Sequence, residues 1–103
     1  MARSKLKWTR IAIRQRNHIF EYWNERNKSN AYSKKLNRNI KERITLLKQF
    51  PNLGKTTDFG HTRVILLGHY SIFYQFIENS IIITGFWDNR QDPGKLLEVL
   101  KKK

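Results

Sequence analysis

The chain has no cysteine, so it can build neither a disulfide nor a thiolate metal site. A cysteine-free chain fits the reducing cytoplasm, and that is the compartment expected. Long apolar runs are missing too. None approaches the roughly 18 residues that a membrane-spanning helix requires. The basic stretch Met1–Trp8 is not followed by the apolar region that would make it a secretory signal, so no membrane partner is expected. Glycine is sparse, at positions 54, 60, 68, 85 and 94, and makes no phosphate-cradling loop. The three histidines, His18, His61 and His69, have no metal-ligand spacing. Neither a metal nor a cofactor is expected.

Acidic residues are the most telling shortage. Eight Asp and Glu stand against 21 Lys and Arg, a formal charge of +13 over 103 residues. Such a chain repels itself when compact, and a bias of this size suits a polyanionic or acidic partner. Nucleic acid, the ribosome and an acidic protein all qualify; charge does not choose among them. The length is that of one domain, taken as residues 1–103. Repeats and linker-like segments are lacking, and the only low-complexity tract is Lys101–Lys103.

Hydrophobic periodicity divides the chain into a helical half and a strand half. Lys5 to Trp8 suits a short edge strand. Thr9 reads as a helix N-cap, and Arg10 to about Glu25 carries a stripe of Ala12, Ile19, Tyr22 and Trp23 that Arg16 interrupts. Ser29 or Asn30 is placed to cap a second helix. There Leu36, Ile40, Ile44 and Leu47 form one apolar wall, ended by Phe50-Pro51. The short link makes the two helices an antiparallel hairpin. After a loop through Gly54 and Gly60, the segments Val64–Leu67, Ile72–Ile77 and Ile81–Trp87 are rich in β-branched and aromatic residues. Turn-like Gly68-His69 and Glu78-Asn79-Ser80 separate them, which predicts an antiparallel meander. The fold class expected is α+β: a helical hairpin packed on a small antiparallel sheet, with a short C-terminal helix or tail. Trp8, Trp23, Phe73, Tyr74, Phe76 and Phe86 are expected in the core.

Several pieces in this order resemble the RelE/ParE superfamily of toxins. They are Trp8-Thr9, Ile19-Phe20-Glu21-Tyr22-Trp23, Leu47 through Phe50-Pro51-Asn52-Leu53-Gly54, Arg63, His69-Tyr70-Ser71-Ile72-Phe73-Tyr74, and Phe86-Trp87-Asp88-Asn89-Arg90-Gln91-Asp92-Pro93. The resemblance spans roughly Trp8 to Leu97. It implies the growth-inhibiting half of a bacterial type II toxin–antitoxin system, held harmless in a hetero-oligomer by a cognate antitoxin. RelE-like relatives enter the ribosome and cut mRNA; ParE-like relatives poison DNA gyrase. A shared fold cannot choose between these.

Cutting RNA through its 2′-hydroxyl needs a base, cations on the phosphate and an acid for the leaving oxygen. The resemblance to RelE-like nucleases implies an arginine after the tyrosine that opens the second meander strand, and a Tyr or His near the C-terminus. Arg63 and Arg90 match basic positions of that pattern. Ser71, however, follows Tyr70, and neither Tyr nor His occurs beyond Arg90. The pieces Tyr70-x-Ile72-x-Tyr74 and Asn89-Arg90-x-Asp92-Pro93 resemble the ParE branch. The reading favoured is therefore a toxin that binds and poisons gyrase; whether it is also an enzyme stays open. The alternatives are a ribosome-dependent mRNA endoribonuclease using Arg63, Arg90 and His69, and a non-toxic nucleic-acid-binding module. Arg63, Trp87, Asn89 and Arg90 are the expected target- or nucleic-acid-binding residues. Strand pairing should bring His69 to Ser71 beside Trp87 to Arg90, with Asp88 pairing with Arg90 or capping the turn. Leu96, Leu97 and Leu100 are expected to meet the antitoxin. His18 is expected on the surface.

Overall fold

The computed structural model describes residues 5–91. Two helices pack on one five-stranded sheet. Strand β1 (Lys5–Trp8) leads into helix α1 (Arg10–Asn27) and helix α2 (Ala31–Gln49). Strands β2 (Lys55–Thr56), β3 (Arg63–Leu67), β4 (Tyr70–Ile77) and β5 (Ser80–Asp88) follow. Their spatial order is β1-β5-β4-β3-β2. The meander is antiparallel as expected, but the sheet as a whole is mixed: β1 runs parallel to β5, with Leu6 opposite Ile81 and Trp8 opposite Ile83. The helical hairpin lying between the two strands in sequence supplies the crossover that parallel neighbours require. The segment read as a featureless loop also contains β2, whose two residues pair with Val64 and Arg63.

Local chemistry accounts for most boundaries. The Thr9 hydroxyl accepts from the Ala12 backbone N–H at 3.2 Å and starts α1. The helix ends at Lys28, which takes the left-handed conformation with φ 52° and closes two backbone bonds. Of the two candidate caps for α2, Ser29 serves: its Oγ accepts from the Ala31 N–H at 3.1 Å, while Asn30 makes no side-chain cap bond. In the β3–β4 turn Gly68 has φ +59°, the sign that a type II′ turn needs at its first central position. In the β4–β5 turn both Glu78 and Asn79 have positive φ, 49° and 62°, as in type I′.

The core lies between the hairpin and one face of the sheet. Leu36, Ile40, Ile44 and Leu47 are all buried. Each removes enough apolar surface from water to contribute roughly 1.5–3 kcal/mol. From the sheet come Ile65, Tyr70, Ile72, Tyr74, Ile81, Ile83 and Phe86. A bulge between Phe73 and Tyr74 keeps this face continuous, with Gly85 opposite Phe73 and Ile83 opposite Tyr74. Gln15 of α1 then takes up the exposed edge of β5, its Oε1 accepting from the Phe86 N–H at 2.8 Å.

One residue of the α1 stripe lies outside the core, and one core expectation needs correction. Tyr22 is 52% exposed, because the apolar stripe of α1 beyond Ile19 reaches the rim of the sheet instead of its interior. Phe76 is 39% exposed. It lies beyond Tyr74, the last residue of β4 with a partner in β3, so one flank is uncovered. Trp8 and Trp23 are partly buried against the core, while Phe73, Tyr74 and Phe86 are buried as expected. No helix among the described residues is long and apolar enough to cross a membrane.

Candidate functional site

The end of β5 carries the densest polar chemistry among the described residues. Asp88 pairs across the ladder with Tyr70, and the Asn89 N–H donates to the His69 carbonyl at 2.8 Å. The chain then turns: the Gln91 N–H donates back to the Asp88 carbonyl. The Asp88 carboxylate both caps this turn and binds an arginine. Its Oδ1 accepts from the Arg90 N–H and Nε, each at 2.9 Å, and its Oδ2 accepts from Arg90 Nη2 at 2.8 Å. Such a two-pronged pair fixes the guanidinium in orientation as well as position. The Arg90 guanidinium holds the Asp88 carboxyl below its ordinary value, against the opposing effect of burial; the Arg90 backbone N–H and the nearby His69 act in the same downward direction.

The same guanidinium lies over aromatic rings, 5.5 Å from the Trp23 centroid and 6.0 Å from that of Tyr70. Cations at such distances are attracted to the negative ring face. Tyr70 in turn stacks on Phe86 at 5.3 Å, and its hydroxyl shares a hydrogen bond with that of Tyr32 at 3.0 Å. Burial, and then the bond to Tyr32, pushes the Tyr70 hydroxyl far above the ordinary tyrosine value. Trp23 is packed by Tyr22 edge-on at 5.0 Å and by Tyr32 at 5.1 Å, with Arg26 a further 6.0 Å neighbour. Between α1 and the end of β5 this leaves a groove of about 430 Å³. His18, Ile19, Tyr22, Trp23, Arg26 and Arg90 line it, with Asp88 and Gln91.

The expected site residues divide. Strand pairing brings His69, Asp88, Asn89 and Arg90 to one rim, as the meander required. His69, Asn89 and Arg90 are exposed there. Trp87 is half-buried, and its strand position faces away from Asp88, opposite Ser71. The rings beneath Arg90 are those of Trp23 and Tyr70 rather than Trp87. Arg63 does not join the rim. It pairs with Tyr74, four positions along β4 from Tyr70, a separation of roughly 13 Å at the strand rise. Its Nη1 donates to the carbonyls of Gly54 at 2.7 Å and Asn52 at 3.3 Å, which ties down the loop before β2. Arg63 opens β3 at the end opposite the β3–β4 turn, and so stands apart from Arg90. His61 is exposed beside Arg63, and His18 is exposed on α1. Leu96, Leu97 and Leu100 lie outside the described residues.

Ser71, which occupies the position where a nuclease-type arginine was sought, is buried and donates to Asn89 Oδ1 at 2.7 Å. Tyr32, Tyr70 and Arg26 escaped the sequence reading. The tyrosines pass for core residues, and Arg26 for one of many surface cations. Only the 38-residue span between Tyr32 and Tyr70 closing in space reveals the cluster. Among the described residues, no three His, Asp or Glu side chains gather closely enough to hold a metal ion.

Comparison with known proteins adds two findings. A family model described as the ParE toxin of the type II toxin–antitoxin system parDE matches residues 6–93. A solved structure described as the chromosomal ParDE TA system from P. aeruginosa is similar in fold, with a TM-score of 0.70 and 22% identity over 81% of this chain and 92% of that one. No curated protein sequence matches the chain.

Proposed function

Since the chain belongs to the ParE family of toxins of type II toxin–antitoxin systems, we propose that it arrests growth by binding and poisoning DNA gyrase, and that a cognate antitoxin neutralises it. The observation that carries this mechanism is that the residues available for RNA cleavage do not converge. Arg63 is held by loop carbonyls far along the sheet from Arg90. Arg90 is bound to Asp88, and Ser71 is buried against Asn89. A base, a phosphate clamp and an acid within reach of one phosphate are what cleavage requires. The rim instead supplies two cations, Arg26 and an Arg90 locked on Asp88, with an exposed histidine, which suits binding better than turnover. On this reading Arg90, Asn89 and Trp87 contact the target, and Arg63 acts on the fold.

Purified chain added to DNA gyrase and relaxed plasmid should block supercoiling and accumulate cleaved DNA. Uninhibited supercoiling together with codon-positioned cuts in translated messages would replace this mechanism with the ribonuclease one.

A further inference from the structure

The groove between α1 and the end of β5 has a chemistry of its own. Arg26 and Arg90 both lie within 6.0 Å of the Trp23 ring, and the two cations are not equally compensated. Asp88 is committed to Arg90 through three hydrogen bonds. Glu25, the acid next to Arg26, lies against Lys28 at 3.9 Å. Among the described residues, no carboxylate pairs with Arg26. Arg90 uses Nε and Nη2 on Asp88, and no described residue accepts from its Nη1. The guanidinium is thus held rigid with donor capacity left over, so an incoming anion meets an arginine already ordered. Below the cations the lining turns apolar, with Ile19 and the half-exposed ring of Tyr22.

We infer that this groove receives the antitoxin, seating a carboxylate-bearing side chain against Arg26 and Arg90 and an apolar neighbour against Ile19 and Tyr22. The inference rests on the toxin–antitoxin reading above and assigns its partner a surface. The covering of the aromatic rings favours an acidic protein segment over nucleic acid. A nucleobase needs an uncovered aromatic face to stack on. Trp23 is surrounded by Tyr22, Tyr32, Arg26 and Arg90, and Tyr70 lies between Phe86 and Arg90. The +13 charge of the chain steers any anionic partner toward it, an acidic protein included, and leaves the choice to the covered rings. Because Arg90 belongs both to this groove and to the rim proposed for target contact, an antitoxin seated here covers the toxic surface directly. Neutralisation is then occlusion.

The test uses the whole chain and, as probe, the full-length antitoxin encoded by the adjoining reading frame, with affinity measured at two salt concentrations. Arg26→Glu and Tyr22→Ala change exposed side chains, and thermal melts show that each variant is folded. Lys55→Glu, on the far edge of the sheet, makes the same change in net charge as Arg26→Glu. Affinity should fall at least about tenfold for Arg26→Glu and Tyr22→Ala, and about threefold or less for Lys55→Glu. A carboxylate-to-lysine change in the antitoxin should restore binding to Arg26→Glu alone. Equal losses for Arg26→Glu and Lys55→Glu would reduce the effect to bulk charge and overturn the inference. So would undiminished binding by both groove variants, or a labelled single-stranded oligonucleotide that loses affinity for Arg26→Glu while the antitoxin does not. If the unaltered chain fails to bind that antitoxin, the partner reading falls and takes the groove assignment with it.

Discussion

Tyr74 is completely buried, yet its hydroxyl is fully used: it donates to the Pro51 carbonyl at 2.7 Å and accepts from the Gly54 N–H at 2.8 Å. Burial pushes this hydroxyl's pKa up, against the Gly54 bond and the nearby Arg63 charge. One side chain thus joins the end of α2 to the sheet. Gly54 has to be glycine here, since an added Cβ would come within 2.7 Å of the Tyr74 ring and 2.8 Å of the Val64 carbonyl. Tyr74→Phe keeps the ring but strands two backbone groups, and should cost about 1–3 kcal/mol in urea denaturation. At Asp88 the sign of the pH dependence follows from its lowered folded-state pKa. The carboxylate's contribution is present above the unfolded value near 3.9 and is lost as pH falls through the lower folded one. Asp88→Asn should therefore flatten part of the acid limb of a melting-temperature profile between about pH 5 and 2. Tyr70 acts at the other extreme. Its raised pKa means that the unfolded chain ionises first, so stability should decline as pH climbs past the ordinary tyrosine value near 10.

At the scale of elements, legibility followed the regularity of the local pattern. The wall Leu36, Ile40, Ile44, Leu47 has a clean helical period and is buried throughout. The α1 stripe is broken by Arg16, whose guanidinium lies over the Trp8 ring, 4.8 Å from its centroid. Beyond that break the stripe's Tyr22 lies at the surface. Strand β2 is too short to carry any period, and it exists only because Arg63 and Val64 offer an edge. The parallel partner of β1 was equally unreadable, because a four-residue strand bears no mark of which neighbour it will join. Turn chemistry supplies a prediction at this scale. Glu78 adopts φ 49° at the first position of a type I′ turn, where the approach of Cβ to the following carbonyl oxygen is penalised and Asn or Gly is preferred. Glu78→Asn should stabilise the chain by about 0.5–1 kcal/mol, read as a higher urea midpoint with unchanged slope.

For the whole molecule the dominant facts are charge and connectivity. The meander and its short links placed His69 beside Asp88 and Arg90 correctly, since pairing along an antiparallel ladder follows from the turn. Arg63 lies apart from them, because opening a strand and closing one put a residue at opposite ends of the sheet. No rule of spacing could show that Tyr32, Trp23 and Arg26 would converge on that rim from two helices. The excess of 13 positive charges predicts opposite salt responses for the free and bound protein. Raising salt from about 0.05 to 0.5 M should raise the melting temperature of the free toxin, because screening relieves self-repulsion. It should also weaken the complex with an acidic partner, because the same screening removes attraction. Calorimetry and titration on one preparation would check both signs.

The parallel seam between β1 and β5 joins Lys5 to Ser80 and Trp8 to Ile83. During translation the first strand therefore leaves the ribosome long before its neighbour has been made. Contacts of such separation in sequence form late, after the helices and local hairpins. A nascent copy cannot close this seam until Ser80 to Ile83 have been added, and the Asp88–Arg90 rim comes later still.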